Sequence, residues 1–212
     1  DLFIQPASGD AGGALGAAQM VHYMYFGEER IVSGKPVAEH GFYLGPDFSE
    51  KEAITSLKRL KAVYQKPESF EALCEKVAGL LDQGNVIGWF QGRMEFGPRS
   101  LGNRSILGDA RNAEMQKKLN LKIKYREGFR PFAPSVLYEN AREYFELDSV
   151  SPYMLLIADV NQERRKQLPD NYYDLDLWER LYQQRSDVQS ITHLDFSARV
   201  QTVHRENNPR YW

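Results

Sequence analysis

The stretch that constrains this chain most is GRMEFGPRSLGNRSILGDAR, residues 92 to 111, with glycine at 92, 97, 102 and 108 and arginine at 93, 99, 104 and 111. Glycine at that density weakens any helix or strand, each one in an element interior costing about 0.5 to 1 kcal/mol relative to alanine. Pro98 adds a fixed φ and removes a backbone donor. Most of the segment therefore reads as an ordered loop, and its four guanidinium groups need a reason other than secondary structure.

Around the loop, helix and strand signals alternate. Residues 7 to 26 read as a small-residue loop followed by an apolar helix, AGGALGAAQMVHYMYF. Residues 40 to 48 are turn-rich and aromatic, and 49 to 61 carry helical spacing with Ser49 as cap and Glu52 three residues later. YQKPES is the best candidate for a domain boundary. After it come a helix at 69 to 83 ended by Gly84, a buried strand VIGWF at 86 to 90, the glycine-arginine loop, a short strand near RSILGD and a helix at 112 to 122. FAPSVLY, YMLLIADV and ARVQTV read as further strands, NAREYFEL as helical, and 161 to 187 as a polar surface segment. Such alternation predicts an α/β layered domain.

Composition narrows the partners. The chain of 212 residues has a net charge of -2, so nothing global attracts nucleic acid or an anionic membrane, and any cationic site must be local. No apolar run reaches membrane-spanning length, and no signal peptide opens the sequence. The single cysteine, Cys74, falls on the apolar stripe of its helix and reads as a core residue, which suits a reducing cytoplasm. Beginning on DLFIQP and ending on ENNPRYW, the chain reads as an interior piece of something longer.

From Arg93 to Arg130, ten cations face only Glu95, Asp109, Glu114 and Glu127, a net charge of +6, leaving -8 for the remainder. Lys117, Lys118 and Lys122 lie on a helix and read as a solvated face. Arg93, Arg99, Arg104, Lys124, Arg126 and Arg130 lie instead in loops or at element ends. Two such charges 6 Å apart repel by about 3 kcal/mol at an effective dielectric of 20, so an anion should sit among them. Phosphate suits the guanidinium fork; the competing reading is a surface loop paired with carboxylates elsewhere. Ser100 and Ser105 have no His and Asp companions that would mark a nucleophile. Gly9, Gly12 and Gly13 before an apolar helix fit either phosphate binding or tight packing, with Asp10 as a possible metal ligand. His22, His40, His193 and His204 include no pair four residues apart.

GWFQGRMEFGPRSLGNRSILGDAR, LNLKIKYREGFRPFAPSVL, THLDFSARVQTV and ENNPRYW together resemble the carboxy-terminal domain of the nodulation-protein and antibiotic-tailoring O-carbamoyltransferases, and PASGDAGGALGAA resembles the end of that family's amino-terminal domain. The resemblance implies that 1–66 is the tail of an actin-like ATPase (Kae1-like) domain with its linker. It implies for 67–212 a YrdC-like α/β domain that makes carbamoyl adenylate from carbamoyl phosphate and ATP, before transfer of the carbamoyl group to a hydroxyl-bearing small molecule. By the same resemblance Arg93, Arg99 and Arg104 would line an anion cradle, Lys124, Arg126 and Arg130 would hold phosphates and the carbamoyl carbonyl, and Arg199 would close the site. Magnesium would accompany the nucleotide, and Asp10 would complete an Fe2+ site with two histidines from outside this chain. Ser100, Gly128 and Phe196 depart from the family's pattern, and Phe196 bears on the pocket wall. An RNA-binding or tRNA-modifying YrdC-like module, stacking bases on Phe129 or Trp89, is the alternative; a non-catalytic partner-binding domain is the third reading. The overall charge argues against nucleic acid.

Overall fold

A computed structural model of the protein describes residues 4–31 and 41–212. The first helix, α1 (Asp10–Met20), is built mostly of alanine and glycine and buries none of its residues; it runs on in wider turns through Val21–Tyr25. Helix α2 (Glu50–Arg59) starts on the capping box expected from its sequence, with the Ser49 hydroxyl accepting from the Glu52 amide at 3.3 Å and the Glu52 carboxylate accepting from the Ser49 amide at 2.8 Å. Helix α3 (Phe70–Asp82) is capped by Ser69 and stops where Gly84 turns left-handed at φ 76°. Its inward stripe is Leu73, Val77, Leu80 and Leu81, and the helix packs on the strand that follows it. Cys74, one position off that stripe, is exposed and not a core residue.

The glycine-arginine loop turns out to be the connection of a hairpin. Strand β1 (Ile87–Phe90) pairs antiparallel with β2 (Arg104–Leu107), from Ile87 opposite Leu107 to Phe90 opposite Arg104. Residues 91 to 103 thus leave and re-enter the same two-stranded sheet. Helix α4 (Met115–Lys118) is only one turn long and widens through Leu119–Ile123, burying Met115 and Leu119.

A three-stranded sheet stands beyond it in the order β3–β5–β4. Strand β3 (Ser135–Leu137) is parallel to β5 (Ser197–Val203), while β4 (Leu156–Asp159) is antiparallel to it. Two of the expected strands are shorter than their apolar runs. Pro131 and Pro134 cannot donate to a ladder, which holds β3 to three residues. Met154 adopts φ 57°, which breaks the extended run before β4. Helices α5 (Ala141–Tyr144) and α6 (Leu177–Tyr182) complete the elements.

The main core sits behind this sheet: Phe145, Leu147, Ala158, Val160, Val188, Ile191, Ala198 and Val200. Strand β5 is central, and every residue on it is buried except Arg199. The 161–187 segment is not all surface. Arg185 is 1 % exposed and donates to the carbonyls of Arg180, Leu181, Gln183, Thr192 and His193 at 2.8 to 3.1 Å. Burial lowers its pKa, yet five oxygens on a fork of five donors leave the cation well satisfied.

Candidate functional site

A cavity of about 540 Å³ opens between the hairpin and the three-stranded sheet. Four cations from three separate stretches of chain reach its lining: Arg99 from the hairpin loop, Lys124 and Arg126 after α4, and Arg199 from β5. The rest of the wall is mostly apolar, with Leu81, Ile106, Leu107, Met115, Leu119 and Phe132 among its side chains.

The electrostatics of this wall are unbalanced. The Nε atoms of both Arg99 and Arg199 are buried with no hydrogen-bond partner among the described residues. Among the described residues the Arg199 fork reaches only the sulfur of Met154, at 3.7 Å. Desolvation, and after it the charge of Arg99, lower the Arg199 pKa. Two guanidinium groups thus repel each other in a partly dry place, and buried donors normally find partners. Arg126 is different, because its Nε donates to the fully buried Asn120 side chain at 2.7 Å and its guanidinium lies 5.0 Å from the Phe132 ring. Asn120 is fixed in turn by donating to the carbonyls of Gly128 and Arg130. Asp109, the one carboxylate in the lining among the described residues, is bonded by Arg111, which also takes Asp82. It does not neutralise Arg99 or Arg199.

Three of the expected site arginines, Arg93 and Arg104 of the anion cradle and Arg130 of the phosphate-holding set, lie outside the lining. Arg93 donates to the carbonyls of Tyr43 and Leu44, both at 3.1 Å. Arg104 donates to the carbonyls of Gln91, Gly92, Asn103 and Pro46 and lies 3.5 Å from the Phe90 ring centroid. These two staple residues 43 to 46 to the hairpin, a job also done by the Gly45 and Met94 amides, and by the Tyr43 hydroxyl donating to Leu101 O at 2.9 Å. Burial pushes that hydroxyl's pKa up to about 12, which keeps it a donor. Arg130 pairs with Glu127 on the surface at 3.0 Å. Phe196 does not line the cavity either; its ring lies 5.0 Å from the Arg165 guanidinium.

The amino-terminal glycines have structural partners. The Gly12 amide donates to Ala7 O at 2.9 Å and that of Gly13 to Gly9 O at 2.8 Å. A side chain at Gly12 would run into Ala7 O and the Gln5 amide, so this glycine permits a close backbone approach. Asp10 is exposed, and no group of three potential metal ligands occurs among the described residues. His40 lies outside those residues. Lys117 and Lys118 are exposed as read, the second donating to Gly84 O at 2.6 Å.

Sequence reasoning assigned no role to Tyr211. It lines the cavity, its ring fills the space that a side chain at Gly102 would need, and Gly102 holds φ 106°. Asn208 ties the same segment to the loop by donating to Asn103 Oδ1 at 2.8 Å and accepting from Gln91 at 2.9 Å. No local signal joins residue 211 to residue 102; only the docking of NPRYW does.

Comparison with known proteins defines the class to which this arrangement belongs. Residues 78–212 match the family model described as the carbamoyltransferase C-terminus. The whole chain is 57 % identical to an uncharacterized protein of Synechocystis sp. and 38 % identical to nodulation protein NolO of Bradyrhizobium diazoefficiens, covering 34 % and 35 % of their lengths. It is 32 % identical, over 99 % of its length, to the 3'-hydroxymethylcephem-O-carbamoyltransferase of Amycolatopsis lactamdurans, of which it covers 33 %. The chain belongs to the O-carbamoyltransferase family, and it spans about a third of the length of these relatives. Among the described residues no helix is long and apolar enough to cross a membrane.

Proposed function

We propose that this chain is the part of an O-carbamoyltransferase that activates the carbamoyl group, using carbamoyl phosphate and ATP. One observation carries the reading: two partly buried guanidinium groups share a cavity with an ammonium group and a third guanidinium, and the Nε donors of Arg99 and Arg199 are unpartnered. An anion of several charges relieves that imbalance, and the apolar remainder of the wall suits a nucleobase and ribose.

In the proposed reaction water first releases phosphate from carbamoyl phosphate, leaving carbamate. A carbamate oxygen then attacks the α-phosphorus of ATP, the bond from that phosphorus to the bridging oxygen breaks, and pyrophosphate departs with the bond's electrons. The protein's work is positioning and charge neutralisation, so no nucleophilic side chain is required. Arg99 and Arg199 would hold phosphate oxygens from opposite sides, Lys124 would follow the moving charge, and Arg126, with its Nε fixed by Asn120, would present its terminal nitrogens to the carbamoyl carbonyl. Transfer to the acceptor hydroxyl belongs to the whole protein. We assign residues 1–66 to its first domain and 67–212 to its second, the actin-like and YrdC-like parts.

Magnesium would be carried by the phosphates, since the lining's one carboxylate, Asp109, is held by Arg111. For iron the residues of this chain do not suffice: Asp10 is exposed and has no second and third ligand among the described residues.

The test is carbamoyl-phosphate-dependent exchange of labelled pyrophosphate into ATP by the full-length protein. Arg99→Ala and Lys124→Ala are each expected to lower it by about 100-fold or more while leaving the fold intact, the loss usual for removal of a group that stabilises developing charge. Wild-type exchange in both variants would remove them from the site.

A further inference from the structure

We infer that Glu95 is a positioning residue for Arg99, an internal anion that closes the hairpin loop and so sets where that guanidinium stands. The inference rests on the activity proposed above. Glu95 is 7 % exposed, yet it pairs with no guanidinium among the described residues. Its Oε1 atom accepts instead from three backbone amides: Leu101 at 2.7 Å, Asn103 at 2.9 Å and Arg104 at 3.1 Å. The amide between them, Gly102, donates to the Ser105 hydroxyl at 3.0 Å.

Four consecutive amides, 101 to 104, are therefore satisfied by oxygens of the chain's own side chains. A row of amides of this kind commonly binds a ligand's phosphate. Here the place is taken, and an incoming anion cannot use these four amides.

The same contact shapes the loop. Residues 96 to 100 are the span between the carboxylate and the amides it holds, and the crest of that span is Pro98-Arg99-Ser100, all three of which line the cavity. Gly97 rests against Ala7, which is 0 % exposed. No side-chain hydrogen bond orients Arg99 among the described residues, and its Nε has no partner. The guanidinium is aimed by its backbone, and the backbone is closed by Glu95.

A residue acting only through Arg99 should matter only while Arg99 is present, so the experiment is a double-mutant cycle on the full-length protein, read by pyrophosphate exchange. Glu95→Ala is expected to lower kcat/KM by about 30-fold, chiefly through a raised KM for carbamoyl phosphate and ATP. Glu95→Gln, whose amide oxygen still accepts from the three N–H groups, should stay within about threefold of wild type. Arg99→Ala should cost about 100-fold or more, and adding Glu95→Ala to it should cost nothing further. If Glu95→Ala does not fold, Glu95→Asp, which draws the loop inward by one methylene, replaces it in both backgrounds. Losses that multiply in the double variant, or a Glu95→Gln protein as slow as Glu95→Ala, would overturn the positioning role while leaving the proposed activity standing. A wild-type rate in Arg99→Ala overturns the positioning role and takes Arg99 out of the site, whereas it is an absence of exchange in the unmutated protein that overturns the proposed activity.

Discussion

Arg185 and Arg199 are both guanidinium groups drawn out of water next to the same sheet, and they have opposite surroundings. Arg185, in the turn after α6, spends its donors on five backbone carbonyls and is 1 % exposed. Arg199, on the central strand, has a buried Nε with no partner and the Arg99 charge nearby. A saturated buried cation is part of the structure, and removing it strands the acceptors around it. An unsaturated one beside another cation costs stability, and a fold keeps it only where something else repays the cost. That difference separates the cationic groups that hold this molecule together from those that face its cavity.

The largest effect expected from this contrast is on stability. Arg185→Ala should lower the unfolding free energy by about 4 kcal/mol, because Leu181 O and Thr192 O lose the one donor they have among the described residues and three further carbonyls lose one of two. Denaturant midpoints of the full-length protein measure it, and a loss under about 1 kcal/mol would erase the contrast from the structural side.

Arg199→Ala should behave in the other way. Removing one of two repelling cations is expected to leave stability within about 1 kcal/mol of wild type, or slightly above it. Sulfate or pyrophosphate should raise the melting temperature of the wild type and do so much less for Arg199→Ala. An Arg199→Ala protein as damaged as Arg185→Ala would show that Arg199 is structural as well.

The smallest effect is on pH dependence. Burial lowers the pKa of His193 and of His204 below the ordinary 6.5. The unfolded chain then binds more protons than the folded one as pH falls through and below 6.5, so stability declines on acidification through that range. Unfolding midpoints at pH 7 and pH 5 should show the decline, and a His193→Asn, His204→Asn double variant should flatten it. An unchanged slope would mean that neither ring loses a proton-binding opportunity on folding.

Much of the local structure was written in short range. Ser49 and Glu52 announce the start of α2, Gly84 the end of α3, and the β-branched residues of SARVQTV the central strand, because a cap, a left-handed glycine and a strand propensity each need only a few neighbouring residues. Met154 and the two prolines before β3 show where that reading stops, since strand ends depend on which partner is present to pair. Cys74 shows the same at the level of a single helical position.

Within the candidate site the limit is sharper. Arg93, Arg99 and Arg104 share one loop and one composition, and no property of the loop tells them apart. What separates them is that the carbonyls of Tyr43, Leu44 and Pro46, about fifty residues upstream, come to meet two of the three. Glu95, counted from the sequence as one more carboxylate near the cations, spends its charge on backbone amides instead. Tyr211 enters only because the chain's last residues fold back on Gly102.

By itself the sequence determined that a local excess of cations, spaced by glycines, must be satisfied somewhere, and which short segments carry helix and strand. Charge balance and backbone propensity are sums over near neighbours and need no fold. Tertiary structure alone decided which cations are satisfied from within and which four face a shared cavity, because a guanidinium's partners are chosen by distance in space.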